Sequence, residues 1–260
     1  MNATAYLVAF RAAAARARRD PGLLAVRIGF YLVILTVFAG LWRATTAAAG
    51  GEVAGYDFRE VLWYLMATEA AVVSLEPRLI EEIGTDIGSG AVTVEMLRPT
   101  SVVGLRLATV FGEGVTRLLV TVVVGGAFVW LVAGPPPSAV GLALACPSLL
   151  IAVAANLALQ HAFAASAFWL LDAKAAWFLY QKLVFLLGGM LLPLQVFPEG
   201  LQRVAFALPF WPMAYAPGRL VSGHVEPWLL LGQTAWMFAL TGLAMWCFSL
   251  GERRLQVNGG

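Results

Sequence analysis

"VAGPPPSAV", residues 132–140, stands between two long apolar runs, and its reading decides the fold. Three consecutive prolines cannot continue a helix, because each lacks an amide donor and its ring clashes with the turn before it. The runs on either side, 110–133 and 140–171, must turn back on one another with no domain between them. A hydrocarbon layer about 30 Å thick takes roughly 20 helical residues to cross, and both runs reach that length. Laid along the whole chain, the same ruler marks spans at 22–42, 58–75, 110–133, 140–171, 177–196 and 227–250. The fourth is too long for a perpendicular crossing and is expected to project a turn or two beyond the bilayer.

Composition supports lipid as the solvent. Of the 260 residues 60% are hydrophobic and 12% charged, with a mean hydropathy of +0.81. A water-soluble domain would have to build its surface from those same side chains. Net charge is +2 with no basic tract beyond the N-terminus, so nucleic acid is not an expected partner. Cys146 and Cys247 lie far apart inside apolar runs and offer no metal or redox spacing.

Short loops rich in Lys and Arg stay in the cytoplasm. With the N-terminus inside, the inner segments hold Arg11, Arg16, Arg18, Arg19, Arg78, Arg98, Arg106, Lys174, Lys182, Arg253 and Arg254, and the outer ones Arg43, Arg59, Arg203 and Arg219. Both termini are therefore expected inside, with Arg27 and Arg117 snorkelling or paired near the spans. "ATTAAAGG", residues 44–51, would suit cleavage of a leader, but the segment before the first span is long and patterned. Tyr6, Leu7, Phe10, Ala14 and Ala17 share a helical face opposite Arg11, Arg18 and Arg19, which predicts a basic amphipathic helix over 1–20 lying on the inner leaflet.

The second inner segment, "IEEIGTDIGSGAVTVEMLRPTSVVGLRL" at 80–107, is polar by comparison with the rest. Leu79, Ile80, Ile83 and Ile87 fall on one helical face and Arg78, Glu81, Glu82 and Thr85 on another, so a short amphipathic helix is expected. "GSG" at 88–90 breaks it, and a second short element runs to Arg98 and Pro99. A solvated linker explains the charges. A docking surface for a soluble partner explains the apolar residues as well: Ile83, Ile87, Val92, Val94, Met96 and Leu97 are many for a loop in water.

Six spans, both ends inside, a basic N-terminal helix and this inner loop resemble the small integral-membrane permeases of bacterial type-2 ATP-binding-cassette (ABC) export systems. In that family the loop carries a glycine, then apolar residues, then "LRP", matching Gly90, Leu97, Arg98 and Pro99. The late stretch "FPEGLQRVAFALPFWPMAYAPGRLVSG", 197–223, resembles the family's outer segment of short helices between spans five and six. The resemblance implies an all-α integral membrane protein, a single permease domain over 1–260, with a coupling loop at 76–106 and an outer segment at 197–226. It implies a second permease, of the same or a related chain, and a separate ATPase that binds ATP and Mg while this chain binds no cofactor. It also implies residence in the bacterial cytoplasmic membrane, among membrane lipid. The coupling residues would be Glu81, Glu82, Ile83, Asp86, Ile87, Gly88, Gly90, Val92, Leu97, Arg98 and Pro99. Ile83, Ile87 and Val92 would fill a cleft in the ATPase, with Glu81, Glu82 and Asp86 pairing with basic residues at its rim.

The sequence has no G-x-x-x-x-G-K-[ST] loop to cradle phosphates. His161 and His224 lack H-E-x-x-H or carboxylate company, and nothing resembles G-x-S-x-G, which argues against a membrane-embedded enzyme. A stand-alone secondary carrier or membrane scaffold is the other class, but matching broken helices in two halves are not seen: Gly188, Gly189 and Pro193 could break span five and have no counterpart in span two. Inside the spans, Glu69 must face the interior, be protonated or be paired, either as a structural group or in a translocation path. Asn156 and Gln160 share a face and either bond between helices or line that path, and Glu113 and Arg117 neutralise one another. Phe206, Phe210, Trp211 and Tyr215 are expected as an aromatic belt at the outer headgroups. The largely apolar interior favours a lipid-like or amphipathic cargo.

Overall fold

The computed structural model describes residues 3–19, 21–76, 78–96, 100–170 and 173–258, and of 96 and 255–258 the backbone alone. In chain order come α1 (Ala3–Ala17), α2 (Pro21–Ala48), a two-residue hairpin of β1 (Glu52–Val53) and β2 (Tyr56–Asp57), α3 (Phe58–Val73), α4 (Leu79–Gly88), α5 (Ala91–Met96), α6 (Val102–Ala133), α7 (Ala139–Ala164), α8 (Lys174–Leu187), α9 (Glu199–Ala207), α10 (Tyr215–Val221) and α11 (Trp228–Asn258). Local chemistry sets the boundaries. Asp57 caps α3 by accepting from the Glu60 amide at 2.7 Å, while the Glu60 carboxylate accepts from the Asp57 amide at 3.0 Å. Gly134, at φ +94°, ends α6, and the Ser138 hydroxyl accepts from the Gly141 amide at 3.0 Å to start α7, so the proline hairpin forms as expected.

Four of these helices are long and apolar enough to cross a membrane: Pro21–Ala48, Val102–Ala133, Ala139–Phe168 and Trp228–Arg254. On α2 the exposed Val26, Phe30, Val33, Val37 and Leu41 form one stripe at helical spacing, and α6 and α11 likewise turn Leu119, Val123, Trp130, Leu231 and Phe238 outward. Such stripes fit hydrocarbon rather than water as the surrounding medium. α7 runs through the middle, packed by α3, α6, α10 and α11. α3 is buried on every side from Val61 to Ala71, where an unbroken run of eleven residues is shielded.

Two expected spans are shorter than the sequence suggested. α3 has 16 residues and α8 has 14, which at 1.5 Å per residue gives about 24 and 21 Å. α8 stops at Leu187 instead of reaching 196, because Gly189 adopts φ +70° and its carbonyl is claimed by the Tyr64 hydroxyl, while the Gly188 carbonyl accepts from the Tyr215 amide at 2.9 Å. Conversely α6 begins at Val102, two turns before 110, and carries Arg106 on that extension.

The N-terminal helix forms, but its inner face meets protein rather than lipid. α1 runs parallel to the first half of α6, with Tyr6 over Gly104, Phe10 over Gly112 and the Ala14 carbonyl accepting from the Thr116 hydroxyl at 3.5 Å. A Cβ on Gly112 would stand 2.4 Å from the Phe10 carbonyl oxygen, so only glycine allows this approach. Ala13 and Ala14 are buried in the contact, whereas Leu7, placed on the inward face by its spacing, is 48% exposed.

Candidate coupling site

The segment between α3 and α6 folds as two short helices seated on one end of the bundle. α4 buries Leu79, Ile80, Ile83, Gly84 and Ile87 against α7, α8 and the 3-10 turn Ala165–Phe168, and Val92 of α5 is fully buried beside them. At the contact Gly84 sets the distance of approach: a Cβ there would lie 2.3 Å from the Cβ of Ala173, so a larger residue would push α4 away. Gly90, at φ +78°, turns the chain from α4 into α5. Arg106 reaches both arms, with Nη2 2.7 Å from Asp86 Oδ2 and Nε 2.7 Å from Glu95 Oε2.

This placement corrects the expected docking face. Ile83, Ile87 and Val92 are 2%, 4% and 0% exposed, so they hold the loop to its own bundle and cannot fill a cleft in another protein. Asp86 is likewise spoken for by Arg106. The outward surface consists of Glu82, Thr85, Gly88, Ser89, Ala91, Thr93 and Val94, with Glu81 half-buried at its edge. Burial, with repulsion from Glu76, Asp86 and Glu113, holds the Glu82 carboxyl above its ordinary range. Leu97, Arg98 and Pro99 lie outside the described residues.

Where α3 gives way to α4, three long elements are tied together. Arg27 of α2 donates from Nη1 to the Leu75 carbonyl at 2.9 Å and from Nη2 to Glu76 at 2.6 Å, satisfying a carbonyl left over beyond the end of α3. Arg117 of α6 lies 3.6 Å from Glu76 and 3.1 Å from Glu113. The Glu113–Arg117 pairing was legible in the spacing; its extension to Arg27 and Glu76 was not.

The intramembrane polar residues separate into two kinds. Gln160 donates to Asn156 at 2.9 Å, and the Tyr180 hydroxyl of α8 donates to the same Asn156 oxygen, so the pair joins α7 to α8. A cavity of about 90 Å³ beside them, lined also by Glu76, Trp177 and Gln181, holds no more than a few waters. Glu69 is 3% exposed and, among the described residues, makes no ion pair; the Tyr31 phenol lies within its electrostatic reach. Gln233 of α11, unremarked in the sequence, accepts from the Ser148 hydroxyl at 2.7 Å and donates to the Pro212 carbonyl at 2.7 Å, joining α11 to α7 and the outer segment.

Residues 30–259 match the family described as ABC-2 family transporter protein. The chain belongs to that family. A search of the curated proteins finds no match. As an ABC-2 family transporter protein it is a multi-pass membrane protein and the permease of an ABC transporter, whose ATPase is a partner subunit.

Residues 197–226 of this ABC-2 protein, expected as an outer segment, differ from expectation in where the aromatic rings point. Phe210, Trp211 and Tyr215 are 5%, 3% and 1% exposed, and Phe206 packs on Trp211, Tyr215 and Trp228 at centroid distances of 6.1, 5.3 and 6.0 Å. They cement the segment to α3 and α11 instead of forming a lipid-facing belt, because the turn at Gly188–Gly189 folds it inward. Beneath them Arg219 donates to the Tyr56 hydroxyl at 2.7 Å and to Glu226 at 3.0 Å, and His224 lies with its ring 4.7 Å from that of Tyr56. Burial and the Arg219 charge hold the His224 imidazole below its ordinary value, against the pull of Glu60 and Glu226.

Proposed function

We propose that this permease is the membrane half of a bacterial exporter, residing in the cytoplasmic membrane and working as a pair with a second permease. In this reading α2, α3, α6, α7, α8 and α11 are its six crossings, with the short α3 and α8 completed by the connections that follow them, and both termini face the cytoplasm. A separate ATPase binds ATP and Mg and grips the α4–α5 knob. The observation that carries the reading is the way the knob is fastened: α4 is in contact with α7 and α8, closest where Gly84 meets Ala173, and Arg106 ties both arms to α6. A force on such a knob is delivered to three helices at once, because a close-packed contact transmits displacement rather than absorbing it.

The part offered to the ATPase is the outward surface, in which Val94 is 66% exposed and Glu81 and Glu82 supply negative charge. Apolar anchors contribute most of the energy at interfaces, and rim charges chiefly the rate and salt dependence of association. Val94→Asp should therefore reduce recovery of the co-expressed ATPase by roughly tenfold or more, while the exposed site leaves the permease monodisperse. Undiminished ATPase recovery with Val94→Asp combined with Glu81→Lys and Glu82→Lys would refute the knob as the docking element. The cargo class favoured by the interior is amphipathic: the polar groups found there are joined to one another, as Asn156, Gln160 and Tyr180 are, and Glu69 is the carboxylate left over.

A further inference from the structure

The elbow between α1 and α2 carries Arg16, Arg18 and Arg19, all exposed. Among the described residues none of the three makes an ion pair. Beside Arg16 opens a cavity of about 180 Å³ lined by Arg16, Leu23, Leu24, Arg27, Glu113 and Arg117. The inner arginines are already balanced, since Arg27 pairs with Glu76 and Arg117 with Glu76 and Glu113. The excess charge lining the cavity is that of Arg16, and Arg18 and Arg19 follow it in sequence, both exposed. One side of the mouth continues into the apolar stripe of α2, where Leu23, Val26 and Phe30 are 49%, 69% and 64% exposed.

A cationic recess that opens directly onto a lipid-facing stripe suits a molecule with an anionic head and an apolar tail. We propose that the elbow is a binding site for an anionic phospholipid. Its phosphate is received by Arg16 with Arg18 and Arg19, and one acyl chain lies along Val26 and Phe30. Guanidinium groups suit phosphate because their donors match its oxygens two at a time. The site also has a mechanical position. It joins α1, α2 and α6 beside the Arg27–Glu76–Arg117 cluster, so the bound lipid would brace the end of α3 from which the α4–α5 knob departs. The inference rests on the membrane embedding of the chain and not on ATPase docking.

Native mass spectrometry of the detergent-purified permease, titrated with phosphatidylglycerol or phosphatidylcholine, tests it, because detergent removes the charged bilayer surface and leaves only lipid held by the protein. Phosphatidylglycerol should bind at least tenfold more tightly than phosphatidylcholine. Arg16→Gln should weaken it by roughly fivefold, the effect of one arginine near an anionic surface. Arg11→Gln, which removes an exposed arginine of α1 outside the cavity, should change it by less than about twofold, and inorganic phosphate should not displace the lipid. Equal binding of the two lipids, equal losses in Arg16→Gln and Arg11→Gln, or displacement by phosphate alone would each overturn the proposal. Because Arg16 is exposed, its variant keeps the elution profile of the parent. A failure of lipid binding with intact ATPase recovery would leave the coupling reading standing.

Discussion

Replacing Gly84 by alanine probes the seat of the knob directly. In the middle of a helix this exchange normally stabilises, since alanine loses less backbone entropy, by roughly 0.5–1 kcal/mol. Here the new methyl would stand 2.3 Å from the Cβ of Ala173 and 3.6 Å from that of Ala167. Carbon atoms settle at about 3.5–4.0 Å, so α4 must withdraw by more than about 1 Å from the start of α8. Neither Cβ can rotate aside. Overpacking of this kind costs about 1–3 kcal/mol, which set against that gain leaves a net loss of up to about 2.5 kcal/mol. Gly29 and Gly40 of α2 supply the control, because a Cβ at either meets nothing within 4 Å. Thermal unfolding of the purified variants should show Gly84→Ala below the parent and Gly40→Ala level with it or above. The same shift of α4 should reduce ATP-driven transport further than the loss of stability alone would. A Gly84→Ala variant as stable as Gly40→Ala would refute the close seating of α4 on which the coupling argument depends.

Arg106→Gln strands Asp86 and Glu95, whose side chains are 43% and 33% exposed, so each lost pair is worth no more than about 1 kcal/mol; hydrogen exchange across 79–96 should quicken roughly tenfold, and unchanged exchange would show that Arg106 does not hold the knob. The lowered His224 affinity for protons means that the unfolded chain binds the proton more readily than the folded one, so stability present above the ordinary value of 6.5 is lost as the pH falls through it. His224→Gln should flatten that decline in melting temperature, and a parent whose melting temperature does not drop between about pH 7.5 and 5.5 would contradict the burial argument. For orientation, in a background lacking Cys146 and Cys247, a cysteine at Gly200 should react with an impermeant thiol reagent in intact cells and one at Ser89 only after permeabilisation; the reverse pattern would invert the topology.

Much of the helical scaffold could be read from apolar run length and punctuation. The prolines at 135–137 act through local backbone chemistry, which needs no knowledge of partners, whereas the stop at Gly188 and Gly189, short of the expected 196, is fixed by Tyr64 and Tyr215 far away in sequence. The amphipathic pattern of α4 and α1 was equally plain, but a pattern gives a helix's apolar face without saying what covers it. For Ile83, Ile87 and Val92 the cover proved to be α7 and α8, and for Tyr6 and Phe10 it proved to be α6, permitted by glycines at 84, 104 and 112 whose meaning depends on a neighbour far away in sequence. The same holds for the inward turn of Phe210, Trp211 and Tyr215, and for Arg106, whose partners sit 20 and 11 residues earlier. Gln233 and Arg27 likewise bond at separations of 85 and 49 residues, beyond the reach of any helical spacing. Glu69 announced itself, as the i, i+4 pairs Glu113–Arg117 and Asn156–Gln160 did, because a carboxylate in an apolar span needs an explanation wherever it points.

The most direct test of the account is where the ATPase touches this chain. A photocrosslinking amino acid placed at Thr85 or Val94, both exposed on the knob, is compared with one at Trp130, 58% exposed near the proline hairpin at the opposite end. An adduct with the ATPase subunit is expected from Thr85 and Val94 and none from Trp130. An adduct from Trp130, or none from either knob position in membranes where the ATPase is present, would contradict it.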